Sequence, residues 1–315
     1  MKIFTKIKKN SICNINYFRL PDNPEWTGPL QANSKLNLVD RLFENQIKGP
    51  ESFATYDGYI YTGLMSGLIV KIDPEDLSIT PVARIGTNCE GQHEDVKCGR
   101  PLGLQFTPDG NLLVCDAVFG VHLLRFNRDD GESVVGRITS HRHQQHVSYE
   151  QLLNPDDIYD GSPNILCNSL VLGRDNRTVY ISVSSTKFPL RDGMFELISD
   201  PTGRIVQLDL ETRQVKVILD KLNFVNGLEI DPSGEYLIAT ETGRASLHKV
   251  HLTADSGDSP KHEVLSTQLP GLPDNVRVND RGNFYVGIIS PRLPNTLHIL
   301  ELVAPHNLLR KFVSR

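Results

Sequence analysis

Five oxygen-bearing side chains recur at one phase of a repeat. Glu51 precedes Gly58 by seven residues, Asn168 precedes Asn176 by eight, Asn226 precedes Gly234 by eight, and Asp274 and Asn275 precede Gly282 by eight and seven. Two carboxylates and three carboxamides offer hard oxygens without a thiol or imidazole, the donor set of Ca²⁺ rather than of zinc or copper. Turn capping at a strand start accounts for any single Asn or Asp. It does not account for an acid or amide at the same phase in four of five units, so the expectation is one cation shared by side chains of separate units. Spacing leaves Asp274 open between ligand and general base.

Other polar residues carry weaker chemistry. His141, His143 and His146 sit in a Gln-rich insertion whose spacing fits neither a rigid helix nor a strand, and read as a solvated loop. Ser184, Ser185 and Asp116 follow strand-like runs and read as hairpin ends rather than channel groups. No GxSxG elbow supports a serine hydrolase, and His93 has no visible partner in the sequence.

The elements that would position the five oxygens are strands. Helical periodicity is scarce, whereas ESFATYDGYIYTG, PLGLQFTPDGNLLVCD, NSLVLGRDNRTVYISV, NGLEIDPSGEYLIATE and DNVRVNDRGNFYVG each read as an apolar run, a tight polar turn and a second run. Gly or Asn supplies the positive φ such turns need. The turns recur at roughly fifty to sixty-five residues, the rhythm of propeller blades. Residues 66–86 and 203–222 read as second hairpins that complete four-stranded blades, and 140–163 as a long surface loop. In a propeller the first strand of each blade lines the central channel, so equivalent strand starts converge on one axis.

Of the 315 residues, Lys and Arg are spread without a basic stripe and the net charge is -5, which sets nucleic acid aside. No apolar run approaches the ~18 residues that cross a bilayer, and the basic N-terminus lacks the apolar core of a signal peptide. Cys89 and Cys98 flank a polar loop whose ends could meet in a disulfide, or could be two unrelated thiols. Asn176-Arg177-Thr178 is a glycosylation sequon of a kind common by chance.

GPES (49–52), CGRPLG (98–103), VCDAVFG (114–120), NFVNGLEI (223–230), ATET (239–242) and LPGLPDNVRVN (269–279) resemble, in order and spacing, the motif series of the strictosidine synthase-like family, in its animal membrane-associated branch. The resemblance runs from about Phe18 to the C-terminus. It implies an all-β, six-bladed β-propeller occupying 49–315 after a segment and linker at 1–48. Five units are recognisable, so the last blade is expected to be incomplete in this chain, with an N-terminal membrane anchor missing from it.

The family's kinship with calcium-dependent paraoxonase-type propellers implies Glu51, Asn168, Asn226, Asp274 and Asn275 as metal ligands, the five already found by phase. It also implies a Cys89–Cys98 disulfide and a lumenal or extracellular body, and leaves Cys13, Cys115 and Cys167 unassigned. Where paraoxonases carry a His and an Asp, this chain has Leu102 and Ser169, losing two candidate proton handlers. General-base assistance is worth about 10²–10⁴ in rate, so the expectation is a weak or specialised arylesterase or lactonase acting on a small-molecule ester, with Asp274 as candidate base. The alternative is a calcium-stabilised propeller serving as a receptor or adhesion module with a protein partner. Strictosidine synthesis is not expected, because its glutamate has no clear counterpart here.

Overall fold

A left-handed backbone residue turns each of the five first hairpins: φ is 78° at Gly58, 82° at Gly110, 56° at Asn176, 79° at Gly234 and 76° at Gly282. A residue with no Cβ adopts these angles without strain, and Asn is the side chain that best tolerates them. The computed structural model describes residues 19–310 apart from 36, 88, 90–96, 127–146, 253–259, 297 and 307–309. Cys13, His93, His141, His143 and His146 lie outside the described residues.

The strands form antiparallel sheets in sequence order. Blade 1 is β1 (Phe53–Tyr56), β2 (Tyr59–Gly63), β3 (Leu68–Ile72) and β4 (Ile79–Arg84). Blade 2 is β5 (Pro101–Phe106), β6 (Leu112–Asp116), β7 (Gly120–Phe126) and β8 (Val147–Leu153). Blade 3 is β9 (Leu166–Leu172), β10 (Thr178–Ser185), β11 (Gly203–Asp209) and β12 (Val215–Leu222). Blade 4 is β13 (Val225–Ile230), β14 (Tyr236–Glu241), β15 (Ser246–His251) and β16 (His262–Ser266). A fifth sheet pairs β17 (Gly271–Val278) with β18 (Phe284–Pro291). Strand β1 packs beside β5, β5 beside β9, β9 beside β13 and β13 beside β17. This is an all-β propeller, with the first strand of each sheet on the inside.

Burial follows the radius. Every residue of β9 and β10 is buried, whereas β16 on the rim has none buried. Three apolar clusters lie between sheets, and a smaller one around Leu64, Val70 and Ile72 lies against the outer strands of blade 1. Ala54, Ile69, Leu104 and Val114 join blades 1 and 2. Leu113, Cys115, Leu170 and Ile181 join blades 2 and 3. Tyr180, Ile205, Leu228 and Ala239 join blades 3 and 4. Burial of face on face is what a four-stranded blade, insufficient alone, needs from its neighbour.

One expectation changes. Residues 140–163 are not a loop throughout, because Val147–Leu153 forms β8 and pairs with β7 from Val121↔Leu153 to Phe126↔Val147. Leu152 and Leu153 are buried in the cluster between blades 2 and 3, a role hidden in the sequence by the polar residues around them. The segment that follows is held by buried Arg204, whose guanidinium donates to the carbonyls of Tyr159, Ser162 and Pro163 and to Asn164 Oδ1.

Over the face where the inner strands begin, a 3₁₀ segment (Leu190–Ile198) meets the short helix α1 (Ile299–Val303) and the segment around Leu20. Leu20, Leu197, Ile198, Leu272, Leu300, Val303 and Ala304 form their common cluster, which seats this cover two residues from Asp274.

A candidate metal centre where the inner strands begin

The five oxygens lie at or near the starts of the inner strands, Glu51 ahead of β1, Asn168 on β9 and Asn226 on β13, except that Asp274 and Asn275 stand midway along β17 where its pairing is irregular. Glu51, two residues ahead of β1, and Asp274, on β17, are close enough for their charges to interact. Burial and the Asp274 charge push the Glu51 carboxyl up to about 7, against the opposing pull of Arg100 and a hydrogen bond from Asn275. Burial likewise raises the Asp274 carboxyl, while a hydrogen bond from Asn226 opposes it. Four of the five residues are therefore in one electrostatic cluster.

Asn168 joins it through blade 3. Its amide nitrogen donates to Ser184 Oγ at 3.1 Å, and that hydroxyl donates to the Val225 carbonyl beside Asn226 at 2.7 Å. The Oδ1 atoms of Asn168 and Asn226 are buried and accept no hydrogen bond in the structure. A buried carbonyl oxygen without a donor is uncommon in a folded protein and calls for an explanation. Among the described residues no three His, Cys, Asp or Glu side chains cluster as a metal site, so a cation here would depend on the amides beside the two carboxylates. Oxygen-only donors, two orphaned amide oxygens and a repelling carboxylate pair fit a hard divalent cation.

Backbone placement of the ligands comes from the neighbouring blade. Ser182 Oγ donates to the Asn226 carbonyl at 2.6 Å, and Thr240 Oγ1 to the Asp274 carbonyl at 2.5 Å. Thr242 Oγ1 reaches the Pro273 carbonyl at 2.7 Å. Gly227 lets β13 and β17 close, since a Cβ there would stand 2.5 Å from the Val276 nitrogen. Sequence reasoning missed these hydroxyls, although their alternation in ISVSS and IATET was visible. Ser184 is buried within β10 and is not a strand end, whereas Ser185 ends that strand, its Oγ accepting from the amides of Lys187 and Phe188 and donating to Glu196 Oε2 at 2.7 Å. Asp116 does end its hairpin, with Oδ1 accepting from the amides of Val118 and Phe119.

Arg100 was also missed. Its guanidinium donates to the Gly49 carbonyl and stands 3.6 Å from Glu51 Oε2, tying the Glu51 approach to the residue two places after Cys98. Cys89 and Cys98 are joined as a disulfide, with Cα atoms 5.8 Å apart. Leu102 is 5% exposed and packs with Ala117, Leu166, Leu190 and Phe224, so an apolar wall stands where a proton handler was considered. Ser169 is buried and its Oγ has no partner. Further along the strands, a cavity of about 290 Å³ runs through the channel between Ala54, Leu104, Leu170, Leu228, Glu229 and Arg277. It lies beyond the five oxygens rather than at them.

The strictosidine synthase profile matches residues 168–255, and the N-terminal strictosidine synthase-like profile matches 28–72. Adipocyte plasma membrane-associated protein of Rattus norvegicus is 30% identical over 301 residues, covering 95% of this chain and 74% of the relative. The chain belongs to the strictosidine synthase-like family. Two solved structures share the propeller fold of this family member. A gluconolactonase of Xanthomonas campestris superposes with a TM-score of 0.53 at 14% identity, over 77% of this chain and 70% of that one. Regucalcin of Agrobacterium tumefaciens, described as a calcium-binding protein, gives 0.51 at 14% identity, over 76% and 67%. Relatives within the family are named as membrane-associated. Among the described residues, no helix is long and apolar enough to cross a membrane.

Proposed function

We propose that the chain is a calcium-dependent hydrolase of esters or lactones on a six-bladed propeller. The observation that carries this reading is the pair of buried amide oxygens without donors, Asn168 Oδ1 and Asn226 Oδ1, at the same face as the Glu51–Asp274 pair. The fold shared with a gluconolactonase and with calcium-binding regucalcin supports it. Glu51, Asn168, Asn226, Asp274 and Asn275 would hold the ion. Bound there, calcium would supply a Lewis acid toward an ester or lactone carbonyl.

The remaining work falls to side chains. Asp274 takes a proton from the attacking water and returns it to the departing alkoxide. Leu102, Leu166, Leu190 and Phe224 keep bulk water from the acyl group. Ser182 and Thr240 hold the ligand-bearing backbone through the carbonyls of Asn226 and Asp274. In the same reading the body faces the lumen or the cell exterior, and exposed Asn176 at its hairpin tip carries the glycan.

The Leu102 wall favours one second reading, a non-catalytic propeller stabilised by calcium that presents a surface to a protein partner. Assay of the full chain on phenyl acetate and on lactones, with and without chelator, separates the two. Turnover that chelator abolishes, and that Glu51→Gln and Asn226→Ala both lose, supports the hydrolase. Chelator-induced melting without turnover overturns it in favour of the binding module.

A further inference from the structure

Three successive blades repeat one position, whereas in blade 1 the equivalent Thr62 donates to the Ser52 carbonyl of its own blade. Leu104↔Val114, Leu170↔Ile181 and Leu228↔Ala239 are equivalent pairs of first and second strands. The next residue on the second strand is Cys115 in blade 2, Ser182 in blade 3 and Thr240 in blade 4. Two residues further stand Ala117, Ser184 and Thr242. In blades 3 and 4 both positions are hydroxyls, and all four donate to carbonyls on the first strand of the following blade: Asn226 and Val225 from blade 3, Asp274 and Pro273 from blade 4.

Blade 2 has neither hydroxyl. Its two positions are a thiol and a methyl group, and the first strand of the following blade carries Cys167 immediately before Asn168. Gly103 lets the blade 2 strands approach β9, since a Cβ there would meet the Leu170 nitrogen at 3.0 Å and both Cys115 Cβ and Ser169 Cα at 3.1 Å. Cys115 and Cys167 are both fully buried in the apolar cluster between blades 2 and 3; in the structure both are thiols, and Cys167 Sγ donates to the Asn164 carbonyl at 3.7 Å. Burial and contact with Cys167 raise the Cys115 thiol well above its ordinary value. The Cys89–Cys98 disulfide marks an oxidising compartment.

We propose that Cys115 and Cys167 form a second disulfide, a covalent staple between blades 2 and 3 in place of the hydroxyl staples at the next two junctions. The bond forms by exchange with the disulfide of a thiol oxidoreductase of the secretory route, before the blades pack and close off both sulfurs. One cysteine thiolate attacks a sulfur of the donor and makes a mixed disulfide. The second thiolate displaces the donor, so one S–S bond forms as the donor's breaks. Two electrons and the two thiol protons leave with the donor as its dithiol. The inference rests on the oxidising compartment and is independent of the hydrolase reading.

The test is differential alkylation of the full chain secreted by eukaryotic cells. The protein is denatured in one alkylating agent without reductant, then reduced, labelled with a second agent and mapped by mass spectrometry. Cys115 and Cys167 are expected to carry only the second label, and the unreduced digest to contain their two peptides linked. In Cys115→Ser, Cys167 should take the first label. First label on both residues in the unmutated chain, or linkage of either to another cysteine, overturns the proposal.

Discussion

Ser182 Oγ donates to the backbone carbonyl of Asn226, one blade away, at 2.6 Å. The second strand of blade 3 thereby fixes the first strand of blade 4 at the residue proposed to hold the cation, and Thr240 does the same for Asp274. Ligands from separate blades keep a common centre only if the blades cannot slide. Ser182→Ala removes the donor and leaves a buried carbonyl unsatisfied, which costs about 1–3 kcal/mol. Urea unfolding should show that loss, and calcium affinity should fall with it. Unchanged affinity at reduced stability would assign Ser182 to packing alone.

The protonation of Glu51 gives a pH dependence with a definite sign. Its carboxyl is raised from 4.5 to about 7 in the folded chain, so the folded state holds that proton more tightly than the unfolded one. The resulting contribution to stability is fully present below about 4.5 and is lost as pH rises through about 7. A cation competes with the same proton. Apparent calcium affinity should therefore weaken below about pH 7, by no more than roughly tenfold per pH unit for this one group, and level off above it. Calorimetric titration across pH 5.5–8.5 checks the window, and Glu51→Gln should flatten it.

How far the sequence reached is visible in individual residues. Gly58, Gly110, Asn176, Gly234 and Gly282 were legible as hairpin turns because positive φ restricts residue type locally. The common phase of the five oxygens could be read because a propeller repeats its strand starts, and Glu51, Asn226, Asp274 and Asn275 do interact in the folded chain. Arg100 was not legible, since its partners lie fifty-one residues away at Gly49 and beside it at Glu51, and no local pattern encodes that meeting. Strand β8 was hidden because only its last two residues are buried. The alternating hydroxyls of β10 and β14 were printed plainly, but their acceptors are backbone carbonyls of another blade, which carry no sequence signal.

Leu102 separates packing from metal chemistry. It is 5% exposed in a cluster with Leu166, Leu190 and Phe224, and Leu102→Ala leaves a cavity there. Such truncations cost about 2–5 kcal/mol, readable as a lower urea midpoint at unchanged slope. Calcium affinity of the folded variant should stay within about twofold of the parent, because the side chain offers no ligand oxygen. A loss of affinity as large as that of Asn226→Ala would mean that the apolar wall positions the ligands.

The Cys89–Cys98 bridge spans a sequence separation of nine. A closed loop of that size restricts the unfolded chain by about 2–3 kcal/mol on the chain-entropy account. The double variant Cys89→Ser/Cys98→Ser should lose that much in urea unfolding. Because Arg100 follows Cys98 by two residues and contacts Glu51, calcium affinity should fall as well. Retained affinity would detach Arg100 from the bridge.

The central claim is that oxygens from separate blades share one cation. Calorimetric titration of the full chain with Ca²⁺ at pH 7.5, beside Glu51→Gln, Asn168→Ala, Asn226→Ala and Asp274→Asn, tests it most directly. The account predicts one bound ion per chain and a weakening of at least tenfold in each of the four variants, although the substituted residues belong to four different blades. A chain that binds no calcium, or variants that bind as the parent does, would contradict it.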